Sequence, residues 1–440
     1  MSFIRTSGRY YLSGIDCVMS SLNMLNKKHT GLGNHSQLVL TIKGLLDREK
    51  LGTRLNSILT NSSFFKGKVK RAWNLAPYWA PEHDEFHPKD LIFFNLESQT
   101  EESLNNLIQN CAKKPFKDEN TLLGFDLIYF NNFSFLLMRF DHRMLDARGA
   151  EALLEQILND KNQIINYNLP VRGAKLHSWK SRFLSGQFVN RFLRSIYSKE
   201  LKIAVLNKAV LVDNSYSFYN TTFSDDQTKE IDTASLRKAG YLMNGVYILG
   251  CVVKSFDSIF KKNKSEGNIL VPINVDIRET KFSSKKIFFN NVSFMFFNLK
   301  PNLPLTQYIK NLKTQFIDQI KNRVPYHIRN AALLLRILPI KSLASFLHYR
   351  MKKKPCSFSF SYISEQAFYL KYVQNLPVEN LYHMPFVPID PGVGVFFTRF
   401  NNRLNMTIST FDKKLNKDNS KHLEKSIMSQ FNNGNNNEKI

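Results

Sequence analysis

The chain has 440 residues, with 61 Lys+Arg against 36 Asp+Glu for a net charge of +25, and it is 43% apolar and 13% aromatic. That much core-forming material excludes a disordered or fibrous chain and, at ~150 residues per domain, implies two or three folded units. Four scattered cysteines (Cys17, Cys111, Cys251, Cys356) without a CxxC pair exclude a disulfide scaffold and a cysteine-rich zinc site.

Residues 15–30 and 43–60 carry helical periodicity, with the strand-like run 37–42 between them. The segment 75–95 is loop-rich, punctuated by Pro77, Pro81 and Pro88, and ends in the apolar LIFFNL. FDLIYF (125–130) and FSFLLMRF (133–140) are apolar runs joined by Asn131-Asn132. Asparagine tolerates positive φ, so these predict a hairpin of buried strands. After the polar DHRMLD (141–146), Ala150, Leu153, Leu154, Ile157 and Leu158 repeat as the apolar face of a helix. His142 therefore falls where a strand ends and Asp146 where a helix begins.

Residues 171–210 hold nine Lys/Arg against the single acid Glu200, interleaved with Trp179, Phe183, Phe188 and Phe192, and read as a basic helical crossover. From about 214 a second α/β half is expected: a strand at 216–223, a helix through 232–262, then strands in 269–279 and 288–299. Residues 327–353 mix apolar and basic positions around Pro339, and strands 357–363, 393–400 and 403–410 follow, the last two joined by Asn401-Asn402. The expected division is an N-terminal subdomain 1–170, the crossover 171–213, a C-terminal subdomain 214–427 and a polar, disordered tail 428–440.

The start of the chain has no signal-peptide apolar region, and no stretch reaches the ~18 apolar residues of a membrane span, so a cytoplasmic protein is expected; a monomer is the expected oligomeric state. The charge calls for an anionic partner: nucleic acid, a membrane surface, an acidic carrier or a phosphorylated cofactor.

The chemical candidate is His142-Arg-Met-Leu-Asp146. Histidine keeps a neutral, basic imidazole near pH 7, and a loop after a buried strand supports it rigidly. Asp146 reads either as a support for that loop or as an ordinary helix N-cap. His83 and His87 stand at i, i+4 between two prolines, which argues against a helical metal site. Gly392-Val-Gly394 lacks the rest of a dinucleotide loop, and no phosphate loop or GxSxG elbow occurs.

FLLMRFDHRMLDARGAEALLEQI resembles the HxxxD region of the CoA-dependent acyltransferase superfamily, which includes chloramphenicol acetyltransferases, condensation domains of peptide synthetases, plant BAHD enzymes and bacterial wax ester synthases. Residues 269–297 resemble its PVxLR and GN-x-VS segments, 391–410 its late strand pair and IDCVMSSLN its opening helix. The resemblance implies two chloramphenicol-acetyltransferase-like α/β sandwich subdomains, arranged as a pseudo-dimer with an active-site tunnel between them. It implies His142 as general base, Asp146 holding the loop through an arginine for which Arg278 is the candidate, and Asn290 lining the tunnel. It also implies an acyl-CoA or phosphopantetheinyl carrier protein as thioester donor, an alcohol or amine acceptor, and neither a permanent cofactor nor a metal.

The sequence departs from the condensation pattern at Asp141 before the histidine, Ala147 after the aspartate, Phe289 in place of glycine and SYIS (361–364) in place of a late floor motif. These departures bear on amide-bond condensation more than on acyl transfer in general. An acid beside His142 is expected to raise its pKa unless it faces solvent. A condensation-like protein that binds a carrier or acyl chain without turnover is the second reading, and a nucleic-acid binder driven by charge the third. Residues 327–353 with Lys352–Lys354 also suit docking on the anionic inner face of a membrane.

Overall fold

The computed structural model describes residues 10–60, 65–73, 75–81, 91–96, 99–116, 120–161, 179–198, 201, 216–262, 267–278, 287–351, 355–364, 366–388, 390–411 and 415–436. In the first half lie β1 (Tyr10–Tyr11), α1 (Gly14–Thr30), β2 (His35–Lys43), α2 (Arg48–Thr60), β3 (Gly67–Arg71), β4 (Pro77–Pro81), β5 (Leu91–Asn95), α3 (Glu101–Ala112), β6 (Leu123–Phe130), β7 (Phe133–Asp141) and α4 (Ala147–Leu158). After α5 (Trp179–Ile196) come β8 (Tyr216–Thr222), α6 (Asp225–Lys238), α7 (Asn244–Lys262), β9 (Ile269–Asp276) and β10 (Val292–Leu299). They are followed by α8 (Leu305–Lys321), α9 (Val324–Leu335), α10 (Ile340–Arg350), β11 (Ser359–Ile363), β12 (Tyr372–Val373), β13 (Leu376–Pro385), β14 (Val393–Phe400), β15 (Arg403–Phe411) and α11 (Lys417–Asn436).

The main sheet runs β12-β13-β2-β7-β6-β5. Both faces of its central strands are apolar, so alternate residues feed different cores. Leu38, Leu40 and Ile42 of β2 pack with Leu55 of α2 and Leu153 and Leu154 of α4. Val39, between them, joins Ile108 of α3 and Tyr216, Phe386 and Phe411 from the other half. Asn131 and Asn132 have φ of 46° and 60°, the doubly left-handed turn that matches strand twist, and Asn401 and Asn402 repeat it at 44° and 65°. A second sheet, β11-β14-β15-β8, carries the core of the other half with α6, α7, α8 and α11. The β9–β10 pair stands beside it, with Ser357 N–H donating to Leu270 O at 2.8 Å.

The structure amends several expectations. β12 and β13 leave the second half and complete the sheet of the first, with Val378–Pro385 aligned antiparallel to Ser36–Ile42, so 214–427 does not build a self-contained unit. Their hairpin turns through Gln374 and Asn375, again at positive φ. The helix expected through 232–262 is two helices broken at Gly240, which adopts φ 101°. The tail expected to be disordered from 428 continues α11 to Asn436, because Leu423, Ile427 and Phe431 recur every four residues and bury into the second core. Within the loop-rich 75–95, β4 pairs with β1 and β3. His83 and His87 lie outside the described residues, as do Lys352–Lys354 and most of the crossover beyond α5. In α5 itself Phe188 packs on His327, while Trp179 and Phe183 remain exposed.

Candidate active site

The loop bearing His142 is fixed from both halves. Its own backbone N–H donates to Asn34 O at 2.9 Å, tying it to the start of β2. Met144 and Leu145 are buried plugs beneath it. Phe289 N–H donates to Met144 O at 2.5 Å, and Leu145 bridges Phe288 and Phe289, so the segment preceding β10 lies directly on the loop.

Asp146 is buried in this junction. Its Oδ1 accepts from Gly149 N–H at 2.9 Å, the N-cap of α4. Arg278 Nη2 reaches both carboxylate oxygens at 2.7 and 2.8 Å, and Asn291 N–H donates to Oδ2 at 2.8 Å. One carboxylate thus caps α4 and also joins the motif to Arg278 and to the backbone of Asn291. Arg278 is steadied in turn by Asp276, which also accepts from Arg148 of α4 at 2.6 Å.

Asn290 makes the connection to His142. Its amide Nδ2 donates to His142 O at 2.9 Å and to Asp16 Oδ1 at 3.3 Å, while its N–H donates to the same Asp16 oxygen at 2.9 Å. With Nδ2 facing two acceptors, Oδ1 is left to accept, and it stands 3.3 Å from His142 Nδ1. That geometry favours the Nδ1–H tautomer, which puts the imidazole lone pair on Nε2. All four residues expected from the sequence come together in this network. Asp16 was not among them; its signal is the Ser13-x-x-Asp16 capping box of α1, where Ser13 N–H donates to Asp16 Oδ2 at 2.7 Å. A single carboxylate so starts the helix and orients the asparagine that orients the histidine.

The electrostatics qualify one expectation. Asp141 does pull the pKa of His142 upward, but more weakly than burial pushes it down, so the net shift is downward. Asp141 is itself held in the charged form. Burial opposes its ionisation, but Arg143 outweighs that, donating from Nε at 3.0 Å and from Nη2 at 2.7 Å, so the carboxyl stays below its ordinary range. Burial lowers the imidazole's pKa below 6.5, and the pull of Asp146, the Asn290 hydrogen bond and the weaker pull of Asp141 only partly offset it. The ring is therefore a neutral base at pH 7.

Asp141, Arg143 and His35 line a cavity of about 150 Å³ with Asn23, Lys27 and Phe116, all from the first half. Burial lowers the pKa of His35 to about 4, against the opposing charge of Asp141, with Arg143, Arg139 and Lys27 adding to the depression. Below its ordinary value of 6.5 the unfolded chain binds protons that the folded His35 and His142 refuse. Stability is therefore expected to fall as pH drops from 6.5 toward 4, by roughly 3 kcal/mol from His35 alone. Denaturant titrations across that range check this, and His35→Gln should flatten the slope.

At the level of sequence no known family matches, and no curated protein does either. Solved structures match over nearly the whole chain. Trichothecene 15-O-acetyltransferase from Fusarium sporotrichioides aligns with a TM-score of 0.69 at 13% identity, covering 96% of this chain and 95% of that one. The first condensation domain of the calcium-dependent antibiotic synthetase, in complex with a substrate analogue, gives 0.68 at 11% identity over 98% and 97%. The starter condensation domain of rhizomide synthetase, in a mutant complex with C8-CoA and Leu-SNAC, gives 0.65 at 8% identity over 97% and 95%. The chain has the condensation-domain fold.

Within this condensation-like fold the departures in sequence acquire structural meaning. Phe289, standing where glycine was expected, has φ 64°. The backbone thus keeps a left-handed turn at a cost of about 1–2 kcal/mol for a non-glycine residue, and the burial of the phenyl ring in the first core offsets it. Gly149 is constrained differently: a Cβ there would lie 2.1 Å from Ile287 O. Gly149→Ala is expected to push the segment bearing Asn290 off the motif loop and cost about 1–3 kcal/mol, measurable by thermal unfolding. The first three residues of SYIS fall on β11, which pairs in parallel with β14. Among the described residues no group of His, Cys, Asp and Glu is arranged to hold a metal.

Proposed function

We propose that the protein transfers an acyl group from a CoA or carrier-protein thioester to an alcohol or amine, with His142 as general base. The observation that carries this reading is the 3.3 Å contact between Asn290 Oδ1 and His142 Nδ1: Asn290, held by Asp16, favours the Nδ1–H tautomer, whose lone pair lies on Nε2. A partly buried histidine whose pKa is held below its ordinary value is matched to proton abstraction near pH 7.

In this reaction Nε2 removes the proton from the acceptor O–H or N–H as that atom attacks the thioester carbonyl. The tetrahedral intermediate then collapses, the C–S bond breaks, and the proton on Nε2 passes to the departing thiolate. No acyl-enzyme forms, so none of the four cysteines is required as a nucleophile. All four are buried, and burial pushes the Cys111 thiol up to about 11 and the Cys17, Cys251 and Cys356 thiols to about 12. Asp146 and Arg278 take no part in proton transfer; they hold the loop at the seam where β7 of the first half meets the segment before β10 of the second. Substrates would approach His142 along that seam.

The C8-CoA bound to a starter condensation domain of the same fold supports a CoA thioester as donor, and the acetyltransferase of the same fold supports an alcohol as acceptor. The test is thiol release from a panel of acyl-CoAs, with and without alcohol or amine acceptors. Release that depends on both donor and acceptor supports transfer. Binding of acyl-CoA with no release under any acceptor would favour a non-catalytic binding protein instead.

A further inference from the structure

Three segments distant in sequence come together on one side of the molecule. They are the β3–β4 hairpin (65–79), α5 with its end (179–198), and α9–α10 (323–351); together they carry thirteen Lys/Arg and no Asp or Glu. Arg182 and Arg336 among them are buried, and the remaining basic side chains, with no acid in these segments, make this surface cationic. α5 lies against α9, with Asn330 donating to Ser181 and Ser185 at 2.9 and 3.0 Å, and Phe188 packed on His327.

The apolar residues on this side are arranged as a protrusion. Trp73, at the tip of the β3–β4 hairpin, is 92% exposed, and Leu75 beside it is 51% exposed. The turn between α9 and α10 exposes Ile337 and Leu338. One guanidinium clamps the two tips together: Arg71 donates to Leu75 O at 2.6 Å, Arg336 O at 3.0 Å, Ile337 O at 3.3 Å and Leu338 O at 2.6 Å. Four large apolar side chains are thus held outward from a rigid support. Exposed Lys70 and Lys341 flank them on the same elements.

We infer that this protrusion is a docking site for an anionic lipid surface, into which Trp73, Leu75, Ile337 and Leu338 insert while the surrounding lysines and arginines face the headgroups. Each basic side chain near such a surface contributes ~1 kcal/mol of attraction, and tryptophan favours the headgroup level. A charged partner protein or nucleic acid would be served by the basic face alone; projecting apolar tips fit a deformable interface. The inference does not depend on the acyl-transfer reading, since none of these residues touches His142.

The test uses the full chain and vesicles of phosphatidylcholine with and without phosphatidylserine. The three tryptophans are Trp73, Trp79 and Trp179; Trp79 is buried, so a Trp179→Phe background makes Trp73 the responsive fluorophore. Expected are binding to the phosphatidylserine vesicles, a blue shift of Trp73 emission, and its quenching by brominated acyl chains. Trp73→Ser with Leu75→Ser should weaken binding by roughly tenfold or more with an unchanged unfolding midpoint. Binding that salt abolishes but the double substitution leaves intact, with no quenching, would overturn insertion. So would an absence of vesicle binding, or tip-dependent binding to an oligonucleotide or an acidic carrier protein in its place.

Discussion

Acyl transfer by His142→Ala is expected to fall by roughly 10²–10⁴-fold, the contribution of a positioned general base, with the fold intact. The side chain is only partly buried and makes a 3.3 Å hydrogen bond to Asn290. Its removal should therefore change unfolding free energy by about 1 kcal/mol. The loop's position depends instead on backbone contacts that alanine preserves: His142 N–H to Asn34 O, and Asn290 Nδ2 to the carbonyl of residue 142. Rates under saturating donor and acceptor, alongside circular dichroism during heating, check both halves of this expectation. The depressed pKa of His142 adds a signature: the wild-type rate should fall only below pH 6.5, on an acid limb governed by one proton.

Arg278→Ala should have the opposite profile, a large loss of stability with activity lost as its consequence. The Arg278 and Asp146 side chains are 2% and 5% exposed. Removing one partner of such a pair strands a buried charge and costs about 3–5 kcal/mol. Asp146 would retain the N–H groups of Gly149 and Asn291, whereas Asp146→Ala would also forfeit the cap of α4, ~1 kcal/mol more. Asp146→Ala is therefore expected to be the more damaging of the two. The double substitution should cost much less than the sum, because no uncompensated charge is left in the pocket. Equilibrium denaturation of the three variants measures this coupling. A sum that proved additive would mean that the pair does not hold the loop.

The legible parts of this protein were those with local causes. Asn131-Asn132 and Asn401-Asn402 announced their hairpins because asparagine accepts positive φ, and Pro339 marked the break between α9 and α10. Asp146 could be placed at a helix start because the apolar spacing of α4 follows it directly. What pairs with it, across 132 residues, was reachable only through the resemblance to a family. β13 was hidden for a related reason: its burial pattern fits a strand, but nothing local says that it joins β2 rather than β14. The C-terminal asparagines concealed α11, where Leu423, Ile427 and Phe431 outweigh a polar composition. Asp16 was overlooked because a capping box is a sufficient local explanation for Ser13 and Asp16, and its second task depends on Asn290, 274 residues away.

The most direct test of the central claim follows the acyl group itself. The protein is incubated with isotopically labelled acyl thioesters, both CoA and carrier-bound, and with panels of alcohols and amines, and products and intact protein are analysed by mass spectrometry. The account predicts labelled ester or amide on the acceptor, an equal amount of free thiol, no labelled protein, and loss of product with His142→Ala. Label trapped on the protein, or product formed equally by His142→Ala, would contradict it.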